Sequence, residues 1–208
     1  MTKITIVDYS NGNSNSILRA LNSIGANADF SSKRRDIEQA DFLILPGVGH
    51  AGTAMASLQS NRLIEPLRDA VLGRKVPVLG ICLGMHLMLD YVEEGACAAL
   101  GWVRGRAVAM TVHDRRRFKV PHIGWNTVDR QPGPQLLSNL STDDRSFYFC
   151  HKYTVEGVEE VGNLSSFHYE SERIASFDKG QIFGVQFHPE KSHEAGEGLF
   201  RSFLGSGC

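Results

Sequence analysis

The chain has 208 residues, 42% of them hydrophobic, with a formal net charge of -1; that length suits one domain spanning 1–208, and the charge balance gives no reason to expect a nucleic-acid partner. The densest basic patch, DRRRFK at 114–119, is short enough to be a solvated loop, and the four cysteines (Cys82, Cys97, Cys150 and Cys208) form neither a C-x-x-C pair nor a zinc-type cluster, so no metal is expected. The N-terminal MTKITIVDYS lacks a signal-peptide core and no apolar run is long enough to span a bilayer, so a cytoplasmic chain with reduced thiols and no membrane contact is expected.

KITIVD (3–8) is β-branched and short, and reads as a buried strand. SNGNSNS (10–16) is a polar turn, and ILRALNSIG (17–25) has helical spacing with a glycine stop. DFLILP (41–46) is a second buried strand, followed by the glycine-rich loop PGVGHAG. A helix pattern covers 63–72, with Pro66 near its first turn. PVLGI (77–81) is a third buried strand, and 83–91 is a helix pattern. Alternating strands and helices imply right-handed crossovers and a largely parallel sheet flanked by helices. The second half changes character. RAVAMTV, FKVPHIGWNTV, SFYFCHKYTV and RIASF read as shorter strands joined by turns. QIFGVQF (181–187) is a strand that runs into His188-Pro189-Glu190, and a helix over 194–204 closes the chain.

VPVLGICLGMHL (76–87) carries the chemistry. Ligands of open α/β sheets sit beyond the carboxyl ends of the strands, and Cys82 falls at such an end. Gly80 and Gly84 would keep a tight strand-to-helix turn uncrowded, so G-I-C-L-G is a thiol version of the nucleophile elbow. The Leu83 N–H, at the helix start, could donate to an oxyanion, and the helix end favours a thiolate. A buried structural cysteine is the other reading of Cys82. A thiol nucleophile needs a base and the base an orienter. His188 also follows a strand, and Glu190 is close enough to hold its second nitrogen. Taken singly, a strand-end histidine in a turn and a surface carboxylate are the more ordinary readings, and the elbow weakens them.

G-I-C-L-G-M with F-G-V-Q-F-H-P-E-K-S resembles the class I (triad) glutamine amidotransferases. I-V-D-Y, L-I-L-P-G-V-G (43–49), V-P-H-I-G-W-N (120–126) and F-Y-F-C-H-K-Y (147–153) narrow the likeness to the glutaminase subunits of imidazole glycerol phosphate synthase, over essentially the whole chain. The resemblance implies that fold, with a smaller antiparallel sheet beside the central one and no cofactor. It implies that Cys82 attacks the side-chain amide of L-glutamine, His188 shuttles the proton and Glu190 orients His188. The Leu83 amide and one from Gly47-Val48-Gly49 would form the oxyanion hole. Gly84, His86, His151, Lys152 and Tyr153 would lie at the substrate. The ammonia would pass to a separate (β/α)8 cyclase/synthase subunit in a heterodimer that makes imidazole glycerol phosphate and AICAR in histidine biosynthesis. Asn11, Asn13, Asn15 and Trp125 are interface candidates by position, with a core aromatic as the other reading of Trp125.

Several positions depart from the family pattern. His86 stands where glutamine is usual, Lys152 where serine is usual, and Ser10, Ser14, His50 and Ala51 are also atypical. These suggest an alternative: a paralogue that supplies ammonia for amidation of a nucleotide-linked sugar in surface polysaccharide synthesis. A non-catalytic binding subunit and a general cysteine hydrolase or protease of the same fold class are further alternatives. Gly47-x-Gly49-x-x-Gly52 formally matches the dinucleotide fingerprint, but Pro46 interrupts the turn and Asp69 lies inside a helix pattern.

Overall fold

A computed structural model of the chain describes residues 2–9, 15–129, 135–138, 140 and 145–207. The strands are β1 (Ile4–Val7), β2 (Ala28–Ser31), β3 (Phe42–Leu45), β4 (Val78–Ile81), β5 (Tyr91–Val92), β6 (Cys97–Ala98), β7 (Arg104–Ala109), β8 (His122–Asp129), β9 (Ser146–His151), β10 (Tyr153–Glu159), β11 (Asn163–Tyr169), β12 (Ser171–Lys179) and β13 (Ile182–Val185). The helices are α1 (Asn15–Ser23), α2 (Arg34–Glu38), α3 (Ala51–Ser60), α4 (Ile64–Arg68), α5 (Leu83–Leu87), α6 (Gln135–Ser138) and α7 (His193–Gly205).

Among the described residues, nine strands form one sheet in the order β2-β1-β3-β4-β13-β12-β11-β8-β9, and four form a second in the order β10-β7-β5-β6. The large sheet changes character halfway. From β2 to β13 every neighbour is parallel; from β13 to β9 every neighbour is antiparallel. The α/β class, the mostly parallel central sheet (five of its nine strands) and the smaller second sheet match expectation, and the antiparallel strands extend the large sheet on one side. The small sheet is itself mixed, since β5 and β7 run parallel.

The β-branched and leucine-rich strands of the parallel half are buried on both faces, as crossover helices require. Val7, Leu43, Leu45, Val78 and Ile182 pack into one apolar layer. Their alternates Ile6, Phe42, Ile44, Leu79, Ile81, Phe183 and Val185 pack into the other. Neighbouring residues of one strand thus anchor opposite layers, which fixes the register and hence which residues emerge at the strand ends.

The helix expected over 83–91 stops at Leu87. Met88 and Leu89 are fully buried, and loop 100–103 takes up the last carbonyls: the Leu100 N–H donates to Leu87 O and the Trp102 and Val103 N–H groups donate to Met88 O. The 63–72 pattern becomes α4 followed by a π-helical turn over Asp69–Gly73. SFYFCHKYTV divides at Lys152, where the chain leaves the large sheet as β9 and enters the small one as β10. No helix among the described residues is long and apolar enough to cross a membrane.

Candidate active site

Strands β3, β4 and β13 are adjacent and parallel, with Leu45 opposite Gly80 and Val185 opposite Ile81. The segments that leave these strands therefore converge at one edge: Pro46–Gly49 after β3, Cys82 after β4 and Gln186–His188 after β13. The residues Gly47, Val48, Gly49, Cys82, Leu83, His86, Glu94, Pro121, Cys150, His151, Lys152, Tyr153, His188 and Lys191 line a cavity of about 300 Å³ there. Such a volume is at the lower end of small-molecule sites.

Cys82 takes φ 47° and ψ -101°. That backbone conformation is strained for a non-glycine residue, and such strain concentrates at functional sites. It is held by the Cys82 N–H donating to Val185 O at 2.7 Å and by the His86 N–H donating to Cys82 O at 3.1 Å. The turn is feasible because its neighbours lack side chains. A Cβ on Gly47 would sit 2.4 Å from Ile81 O, and one on Gly84 would sit 2.0 Å from Leu45 O. Gly84, expected at the substrate, is thus buried against the main chain of β3 and lies outside the cavity lining.

His188 is 2% exposed, and its Nδ1–H donates to Glu190 Oε1 at 2.8 Å, leaving Nε2 for the sulfur. Burial alone would push the ring down. The Cys82 sulfur, through charge and a hydrogen bond, and then Glu190 outweigh that burial and raise His188 to about 10. The charged form of the His188 ring is thus favoured beside Cys82 and Glu190. Glu190 Oε2 is buried with no hydrogen-bond partner among the described residues. Ser192 explains the rest of the H-P-E-K-S sequence. Its hydroxyl donates to His188 O at 2.6 Å and accepts from the Tyr148 N–H at 3.0 Å, while the His188 N–H donates to Tyr148 O at 2.8 Å. The histidine is therefore clamped to β9.

The same cavity carries a second histidine system. His151 Nδ1–H donates to Tyr153 O at 2.7 Å, and His122 Nδ1 lies 3.2 Å from His151 Nε2. With Nδ1–H committed, His151 Nε2 accepts and His122 donates. His122 packs between Phe149, Phe167 and Tyr169. Burial first, then the Arg173 charge, pushes His122 down to about 4. Burial likewise pushes His151 down to about 3 against the bond to Tyr153, and His122, His86 and His188 add to the depression.

The other expected residues divide. Gly47, Val48, Gly49, Leu83, His86, Lys152 and Tyr153 line the cavity, with Lys152 exposed at the corner between β9 and β10. His86 is almost wholly shielded from solvent: its Nε2 lies 2.9 Å from Gln186 Oε1. Trp125 is 49% exposed, stacked on His193 and edge-on to Tyr148, which removes the core reading. Asn15 is exposed at the start of α1, and Asn11 and Asn13 lie outside the described residues. Sequence reasoning missed Glu94, which lines the cavity and accepts from the Ala51 N–H at 2.9 Å. It also missed Gln186, whose Nε2 donates to Cys82 Sγ at 3.6 Å. Gln186 sits in the V-Q-F-H-P-E run, two residues before His188, and that proximity was the available signal. Glu94 gave none, because the loop that carries it has no pattern of its own.

The family described as glutamine amidotransferase class-I matches residues 5–205. The chain is 40% identical to "Imidazole glycerol phosphate synthase subunit HisH 2" of Pseudomonas aeruginosa over 201 residues, covering 97% of this chain and 98% of that protein. It is 37% identical to "Imidazole glycerol phosphate synthase subunit HisH" of Bacillus subtilis, covering 96% and 94%. Among solved structures, one described as a glutamine amidotransferase superposes with TM-score 0.73 at 16% identity, covering 98% of each chain. At that identity it speaks for the fold alone.

Proposed function

The chain belongs to the class-I glutamine amidotransferase family, and from that premise we propose that Cys82, His188 and Glu190 are its catalytic triad. The enzyme is a glutaminase that releases ammonia from L-glutamine as the glutaminase subunit of imidazole glycerol phosphate synthase in histidine biosynthesis. Relatives carrying that synthase name match nearly the whole chain at 33 to 43% identity and support this assignment.

The observation that carries the triad is the meeting of Cys82 and His188 at adjacent strand ends, with Glu190 behind the ring at 2.8 Å. The Cys82 sulfur attacks the carboxamide carbon of glutamine. The oxyanion that forms is met by the Leu83 N–H and by one from Gly47-Val48-Gly49, and losing one such donor costs about 3 kcal/mol of transition-state stabilisation. His188 delivers its proton to the departing nitrogen, and ammonia leaves from a glutamyl thioester. Water then attacks with His188 as base, and glutamate is released. Glu94 would meet the substrate ammonium and Lys152 its carboxylate, a reading supported by the presence of both in the cavity lining.

The partner is a separate (β/α)8 cyclase/synthase chain. The face that supports its docking lies beside the triad. Ile123 is 59% exposed, Val120 and Trp125 are exposed with it, and Trp125 stacks on His193, three residues after Glu190. Clustered apolar exposure of this kind marks an interaction surface. A short path for ammonia matters because free ammonia is largely protonated at neutral pH and then cannot act as a nucleophile.

The test is glutamate release with the barrel subunit and its acceptor present. Wild type turns over, and Cys82→Ala falls to background. Wild-type turnover by Cys82→Ala would remove the nucleophile and the mechanism with it.

A further inference from the structure

His86 occupies the position where the family resemblance implies a substrate-binding glutamine, yet its ring is engaged elsewhere. His86 Nε2 lies 2.9 Å from Gln186 Oε1, and Gln186 Nε2 donates to Cys82 Sγ at 3.6 Å. Gln186 is fully buried and His86 nearly so. The main chain fixes both ends: the Gln186 N–H donates to Ala175 O at 2.8 Å, and the His86 N–H donates to Cys82 O at 3.1 Å. The Gln186 carboxamide is then the adjustable part, with two orientations half a turn apart. One presents NH2 to the sulfur and the other presents the carbonyl oxygen. Only the first supports a sulfur anion, because an anion needs a donor.

We propose that His86 is a positioning residue for the nucleophile: its Nε2–H donates to Gln186 Oε1 and locks the carboxamide with its NH2 on the Cys82 sulfur. The relay rests on the reading of Cys82 as the nucleophile. It gives the sulfur a donor besides His188, one that carries no charge and consumes no proton. Burial pushes His86 down, against the bond to Gln186 and the charge on Glu94, so the ring stays neutral and does not compete with His188 as base. A neutral ring holding Nε2–H is the donor that the contact requires. Two further ionisable groups interact with the sulfur, His188 and the buried Tyr9, whose hydroxyl donates to Pro46 O.

The experiment is alkylation of the isolated chain by iodoacetamide at pH 7, followed on the Cys82 peptide by mass spectrometry so that the other cysteines do not interfere. Gln186→Leu and His86→Leu each slow Cys82 alkylation about tenfold, the effect of losing roughly one pKa unit's worth of support for an anion. The double variant is no slower than Gln186→Leu, because both remove one relay. His86→Gln, which keeps an N–H donor, recovers to within about twofold of wild type. Gln186→Glu, nearly isosteric and independent of any packing loss, slows the reaction further by setting a carboxylate against the sulfur. At pH 10 the leucine variants approach wild type.

Wild-type alkylation in His86→Leu or in Gln186→Leu would overturn the relay, as would a slowed His86→Gln. With the barrel subunit present, His86→Leu lowers kcat and leaves KM within about twofold. A raised KM with unchanged alkylation would instead assign His86 to the substrate and overturn the proposal. His188→Asn serves as the control: slowed alkylation in that variant upholds the pairing of His188 with the sulfur, and failure to slow would sink the triad reading itself and the relay with it.

Discussion

His188 and His151 line the same cavity, each less than 5% exposed, and they are driven in opposite directions. His188 rises to about 10 and His151 falls to about 3. Burial pulls both down, so burial does not decide between them. The partners do. His188 faces a sulfur and a carboxylate, each better met by a charged ring. His151 gives its one N–H to a peptide carbonyl and receives one from His122, and that chain is complete only while the His151 ring is neutral. The cavity therefore has a charged wall that can move protons and an uncharged wall that shapes the site. A strongly shifted histidine marks a reactive group only when its shift comes from partners that the reaction uses.

The largest effect expected from testing this contrast is at Glu190. Glu190→Gln keeps the shape and a contact to His188 but removes the charge behind the ring and allows the wrong tautomer. It should lower kcat/KM for glutamine by about ten-thousandfold with the barrel subunit present, in line with the loss seen when the orienting carboxylate of a triad becomes an amide. An unchanged kcat/KM would mean that the two walls do not differ in the way described. His151→Phe should cost much less, about tenfold, because it alters the shape of the uncharged wall. The pH profile of kcat should keep its form in that variant, whereas Glu190→Gln should change it.

The charged wall was legible in the sequence and the uncharged one was not. Cys82, His188 and Glu190 each follow or sit just beyond a buried strand, and parallel register brings such ends together, so local pattern and one topological rule suffice. His151 could be placed near the substrate only through the resemblance. Its role depends on His122, which lies 29 residues earlier and reaches it because β8 and β9 pair with His122 opposite His151. Antiparallel pairing across so long a connection leaves no trace in periodicity. The same limit hid the split of 146–155 between two sheets at Lys152, since the apolar alternation runs on through the corner. Gly84 was expected to keep the elbow uncrowded, and it does, since a Cβ there would meet Leu45 O; the place at the substrate that the resemblance implied for it is not in the cavity lining. The route from His86 to the sulfur could not be read either, because Gln186, which carries it, is 100 residues away.

The smallest expected effect concerns stability in acid and separates the two walls without any assay of activity. An unfolded histidine ionises near pH 6.5. His122 and His151 resist protonation in the fold until about 4 and about 3. Between those values the unfolded chain binds protons that the fold refuses, so their contribution is present above about pH 6.5 and is lost as the pH falls towards 4. His188 has the opposite sign: its contribution is whole below about pH 6.5 and is lost as the pH rises through about 10. In His122→Phe the ring stack on Phe149, Phe167 and Tyr169 is retained while one of the two reluctant bases is removed. The fall in Tm between pH 7.5 and pH 5 should then be smaller than in wild type by a few degrees, the scale set by about 1 kcal/mol in a chain of this length. The loss above pH 9 should be unaltered, because His188 keeps both its partners. An equal acid loss in the two proteins would mean that His122 is already protonated in the fold at pH 5, and the second wall would then carry charge like the first.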